Sequence, residues 1–107
     1  MTTMSPIRSI SRLLGALALT FALAACETAP PVQEMSDARQ AITVAREAGA
    51  AVYAAMELAE AEEYLHSAEE RLDQEQYREA RHAALEAKYR AQKALKLSEA
   101  SKDSGGD

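Results

Sequence analysis

The chain is short of almost everything from which a large core is built. Its 107 residues include no tryptophan and a single phenylalanine, which restricts it to one small domain around a thin core. Its only cysteine, Cys26, excludes a disulfide within the chain. There is no glycine-rich phosphate loop, no nucleophile beside a plausible base, and too little hydrophobic volume to enclose a pocket. Neither catalytic residues nor a small-molecule substrate is therefore expected. No apolar run reaches the roughly 20 residues that a membrane-crossing helix needs. A basic surface is missing as well. The net charge is −5, and the N-terminal stretch holds Arg8 and Arg12 and no acid, so the chain beyond Ala25 carries −7. Counterion release cannot then drive binding to nucleic acid.

What is present begins as an address. Met1 to Arg12 is polar and basic, Leu13 to Ala25 (LLGALALTFALAA) is apolar and small, and the composition then changes abruptly to ETAPPVQE. This order of basic, apolar and small-residue regions predicts a signal peptide over 1–25; an uncleaved N-terminal anchor is the alternative. Residues Leu23-Ala24-Ala25-Cys26 resemble the lipobox of bacterial lipoproteins. The resemblance implies that Leu23, Ala24 and Ala25 are read by the lipoprotein signal peptidase and that diacylglycerol is attached to the Cys26 sulfur. The Ala25–Cys26 bond is then cut and the new amine acylated, these lipids being the only groups added and no other cofactor being implied. Taken without the resemblance, Cys26 is open to intermolecular pairing or to burial as a free thiol. Each buried methylene adds about 0.8 kcal/mol of membrane affinity, so two or three acyl chains hold permanently where one does not. Glu27 stands where, in that family, an Asp most strongly retains proteins in the inner membrane. The implied location is therefore the outer membrane, facing the periplasm, with the inner membrane as the alternative.

Residues 26–34, the cysteine followed by ETAPPVQE, read as a stiff tether, because adjacent prolines fix φ and remove two amide donors. The polar, glycine-rich SKDSGGD over 101–107 reads as a disordered tail. Between them, 35–100 is expected to be an all-α domain with helices at about 36–48, 54–73 and 76–100. Ser36 is a suitable N-cap with Asp37 in the first turn, and Gly49 suits a left-handed cap that ends the first helix; a helix running on through Gly49 is the alternative. Ala54, Leu58, Ala61, Leu65, Ala68 and Leu72 step alternately by four and three, as an a/d seam does. Asp73 with Gln76 offers a capping box for a new helix. A second seam runs through Tyr77, Ala80, Ala84, Ala87, Ala91, Ala94 and Ser98. Two seams joined by a tight turn predict an antiparallel hairpin, and with the short first helix a small three-helix bundle.

Charge supports the hairpin. Tyr53 to Asp73 holds seven acids against Arg71, and Tyr77 to Leu97 holds six bases against Glu79 and Glu86. Exposed pairs are weak, so this split selects partner and orientation more than it stabilises, within one chain or between two. After Ala25 there are 19 alanines against 16 Leu, Ile, Val, Met and Tyr residues together. Such a core is only marginally stable alone, which points to a protein partner or a homo-oligomer. Glu62, His66 and Glu70 share one face at i, i+4, i+8, but a single histidine does not supply a closed ligand set, and no metal site is expected. His66 and His82 are expected to face solvent, and the four tyrosines to lie at core edges.

The segments SDARQAI, AREAGA before a Tyr, ELAEAEEYL and QYREARHAALEA together resemble the bacterial family called domain of unknown function 4398, over about Ser36 to Lys96. Members are typically small envelope lipoproteins, or precede a peptidoglycan-binding domain of the outer-membrane-protein-A type. They often carry a Pro shortly after the Tyr, where this chain has Ala54-Ala55-Met56. The resemblance brings no activity and no site residues. What it implies, with the lipobox, is a lipid-anchored envelope protein whose helical domain is a non-catalytic interaction or scaffolding module. The alternative is a structural linker to peptidoglycan like the major outer-membrane lipoprotein, whose attachment needs a C-terminal Lys; this chain ends Ser104-Gly105-Gly106-Asp107.

Overall fold

The computed structural model describes residues 29–105. Leu23, Ala24, Ala25, Cys26 and Glu27, with the signal peptide, lie outside them. Four helices and no strand occur among the described residues: α1 Val32–Glu47, α2 Ala50–Tyr53, α3 Ala55–Asp73 and α4 Tyr77–Gly105.

α1 starts earlier than its polar residues suggest. The carbonyl of Pro31, not Ser36, opens the ladder and accepts from Met35 N–H at 3.1 Å, so Val32, Gln33 and Glu34 belong to the helix and not to a tether. Proline is compatible with this position because the first-turn amides have no intrahelical acceptor to lose. Pro31 and Met35 are also fully buried, and burying them outweighs any preference for an extended spacer. Gly49 ends the run as expected, at φ +92°, with its N–H donating to Arg46 carbonyl at 2.9 Å. The single turn α2 and a kink at Ala54 (φ −147°, ψ 48°) then lead into α3. No proline makes this break; an alanine does. Ala54 stays buried, and its carbonyl accepts from Leu58 N–H at 3.0 Å.

The turn between α3 and α4 is a Schellman motif and not a capping box. Gln76 N–H donates to Arg71 carbonyl (2.8 Å) and Glu75 N–H to Leu72 carbonyl (2.9 Å), the paired closure that terminates a helix on a left-handed residue. That residue is Glu75, at φ +60°. Asp73 is the last residue of α3, and the Gln76 side-chain oxygen accepts from Arg71 Nη1 at 2.8 Å. At the other end α4 continues through 101–105, the segment read as a disordered tail. No proline interrupts it, Lys102 suits the negative end of the dipole, and Ser104 Oγ donates to Ala100 carbonyl at 3.0 Å.

α4 is the spine. It packs along both α3 and α1, which touch each other less. Ala80, Ala84, Ala87, Ala91, Ala94 and Ser98 are fully buried, so both seams are core as their spacing predicts. Methyl-sized side chains let two neighbouring backbones approach this one helix. Ser98 is accommodated because its hydroxyl donates to Ala94 carbonyl at 2.8 Å. The larger side chains sit on the partners: Ile42, Leu58 and half-buried Leu65 close one end of the core, Met35 and half-buried Leu72 the other.

Candidate functional site

The charged side chains around this alanine core form a three-way lattice. Arg39 pairs with Glu69 (3.4 Å) and Arg46 with Glu62 (2.6 Å), from α1 to α3. Arg81 pairs with Glu34 (3.1 Å) and Lys88 with Asp37 (3.8 Å), from α4 to α1. Between the acidic α3 and the basic α4 only Arg90–Glu60, at 2.8 Å, is formed among the described residues. The charge split therefore acts differently from the direct pairing its sequence suggests. α1 packs beside the hairpin and pairs with both of its helices, giving cations to α3 and carboxylates to α4. The signal was available: Arg39 and Arg46 are seven apart, and so are Glu62 and Glu69, which is the spacing of two facing heptads. These pairs set α1 antiparallel to α3 and parallel to α4. Arg81 also donates through Nη2 to Ala29 carbonyl at 3.0 Å, which ties the start of the described chain to the α3–α4 turn.

Arg90, with Arg81, is the least exposed of these cations. Its guanidinium stands 5.7 Å from the Tyr64 ring centroid and 5.9 Å from that of Tyr89. Its Nε is buried without a hydrogen-bond partner, the Glu86 carboxylate being 3.9 Å away. With Glu60, Glu63, Tyr64 and Ser67 it lines an open cleft of about 370 Å³ on the side of the α3–α4 pair away from α1. Stacking on two rings and pairing with Glu60 make Arg90 a clamp between the helices.

Of the row Glu62, His66 and Glu70, Glu62 is taken by Arg46, and His66 Nε2 lies 3.1 Å from Glu70 Oε1. No group of three potential ligands that could hold a metal occurs among the described residues. His66 and His82 are exposed, as their offset from the seams predicts. Tyr64 and Tyr77 lie at core edges, but Tyr53 and Tyr89 are 47% and 59% exposed, further out than expected. Tyr53 sits on the one-turn α2, which no periodicity announces, and Tyr89 falls opposite the α4 seam. Among the described residues no helix is long and apolar enough to cross a membrane.

The fold thus defines a small all-helical bundle built on an alanine spine. The family is shown by a model match over residues 33–104: the chain belongs to the family described as Domain of unknown function (DUF4398). No curated protein and no solved structure matches it.

Proposed function

We propose that this protein is a lipid-anchored envelope lipoprotein, held on the outer membrane and facing the periplasm, whose helical bundle is a non-catalytic interaction or scaffolding module. The observation that carries the reading is Leu23-Ala24-Ala25-Cys26 behind a basic start and a short apolar run. Support also comes from the way the bundle begins. Ala29 is bonded to Arg81 at the hairpin-turn end, and three residues reach at most about 10 Å. An anchor on Cys26 would hold that end of the bundle near the bilayer. α4, with 29 residues, would then extend about 43 Å along the bundle at 1.5 Å per residue. Its side chains offer partners helical faces at defined heights.

Growing cells with a palmitate analogue should label the protein. Cys26→Ala should abolish the label and leave a larger precursor, since acylation precedes cleavage. Label persisting in that variant, or absent from the unmodified protein, would refute the lipid anchor.

A further inference from the structure

The three long helices turn chemically different faces outward. On α4 the strip opposite the seam is Arg78, His82, Leu85, Tyr89, Lys93 and Lys96, at helical spacing and all exposed. Leu85 is 49% and Tyr89 59% exposed, and Arg78, Lys93 and Lys96 form no ion pair among the described residues. On α3 the corresponding strip is Met56, Ala59, Glu63, His66, Glu70 and Asp73, also exposed, with Met56 at 71%. Glu63 and Asp73 are likewise without an ion pair, and Glu70 meets only His66. α1 turns out Gln33, Ser36, Gln40 and Thr43, polar and uncharged, with Glu47 ending the strip. One outer face is basic with an apolar centre, a second is acidic with an apolar end, and the third is neutral up to that last carboxylate.

We infer that the basic strip of α4 docks on the acidic strip of α3 of a second copy of this chain. The two surfaces are different, so the contact is heterologous and repeats from copy to copy, giving a row or a ring and not a closed two-fold dimer. The geometry rests on the anchor reading in one respect: copies held on one membrane by the same end stand parallel and level. At equal height the heights are those of the bundle's own packing, in which α4 residue 90 faces α3 residue 60 and the Ala68–Ala84 cluster lies nearer the turn. A neighbour's α4 then brings Arg78 opposite Asp73 and His82 opposite Glu70, with Leu85 level with His66, Tyr89 level with Glu63, and the stems of Lys93 and Lys96 level with Ala59 and Met56. Leu85 and Tyr89 lie in the middle of that contact, where exclusion of water makes the flanking pairs count for more. A second copy fits better than an anionic membrane surface, because the strip and its complement have the same length and occur on one chain.

The test uses the full-length protein purified in detergent, with one variant carrying Arg78→Glu, Lys93→Glu and Lys96→Glu, and a second carrying Glu63→Lys, Glu70→Lys and Asp73→Lys. The unmodified protein should sediment with a mass that rises with concentration. Each variant alone presents two strips of like charge and should need about tenfold or more higher concentration to assemble. An equimolar mixture of the two should recover the assembly, because each variant's untouched strip and its reversed strip both find opposite charge on the other. Circular dichroism monitors folding, and if a triple variant loses helicity the single exposed changes Arg78→Glu and Asp73→Lys give the same comparison. A single-copy mass for the unmodified protein at every concentration, or a mixture that assembles no better than its components, would overturn the inference. So would phosphatidylglycerol vesicles that bind the unmodified protein but not the α4 variant while no assembly forms, an outcome that assigns the strip to a lipid surface. Lipid label on Cys26 is read separately, so loss of assembly with label present rejects the contact alone, and assembly without label rejects the anchor alone.

Discussion

Replacing Glu75 by glycine should stabilise the protein. Glu75 is held at φ +60°, because the Schellman closure between α3 and α4 places its amide on the Leu72 carbonyl and the next amide on the Arg71 carbonyl. The left-handed conformation costs a side-chain-bearing residue about 1–2 kcal/mol, and glycine adopts it freely. Against this, glycine makes the unfolded chain more flexible, by about 0.5–1 kcal/mol. The Glu75 side chain offers little to lose, being exposed and absent from the ion pairs among the described residues. The difference is a gain of about 0.5–1 kcal/mol. In a domain of this size that raises the midpoint by about 3–6 °C. Thermal unfolding followed by circular dichroism, at one fixed protein concentration so that assembly does not contribute, measures it. A midpoint that is unchanged or lower would refute the argument, since it would mean either that residue 75 is not left-handed or that its carboxylate stabilises the turn.

Gly49→Ala should act in the opposite sense, losing about 1–2 kcal/mol, because φ is +92° and an added Cβ would stand 3.2 Å from the Tyr53 ring; the same melting experiment reads it. Ala91→Leu should cost about 1–3 kcal/mol by overpacking the spine, whereas Leu at exposed Ala59 should change stability by less than about 0.5 kcal/mol; denaturant midpoints of the two distinguish a packed seam from a loose one. A double-mutant cycle on Arg46 and Glu62, whose side chains are 56% and 42% exposed, should return a coupling below about 1 kcal/mol that shrinks as salt is added. A larger, salt-insensitive value would mean that the pair is shielded from solvent.

The helices were legible because the seams are regular: alternation by three and four in Ala54 to Leu72 and in Tyr77 to Ser98 has no competing strand or loop interpretation. What sequence reading missed lies at the ends, where local chemistry competes with tertiary packing. Pro30-Pro31 reads as an extended spacer until the burial of Pro31 and Met35 against the bundle is counted. Ser101 to Gly105 reads as tail by composition, but a helix already 24 residues long extends cheaply, since propagation costs far less than nucleation. Asp73 and Gln76 fit the capping-box pattern, yet the Schellman closure satisfies the same terminus using only backbone groups and leaves a glutamate where glycine is usual. The lattice of ion pairs was half legible, since the charge of each helix was plain but the pairing of α1 with both of the others was not. Of the candidate functional residues, Cys26 and its neighbours stand outside the described residues.

An alanine spine also changes where specificity resides. Successive buried positions of α4 are nearly identical in size, so sliding α1 by one heptad would trade one methyl for another at most core positions. Register must then come from the few places where the pattern breaks. Met35 and Ile42 fill spaces that an alanine would leave empty. Arg39 and Arg46 meet Glu69 and Glu62 together in only one register, since a seven-residue shift leaves one of the two carboxylates without its cation. The pairs are individually weak, but they discriminate against the slipped alternatives, which is the role that e and g charges play in coiled coils. The same logic extends outward. Where the interior is uniform, the acidic, basic and neutral outer faces are what distinguishes one side of the bundle from another, and a protein that recognises a partner with such a fold must do so through them.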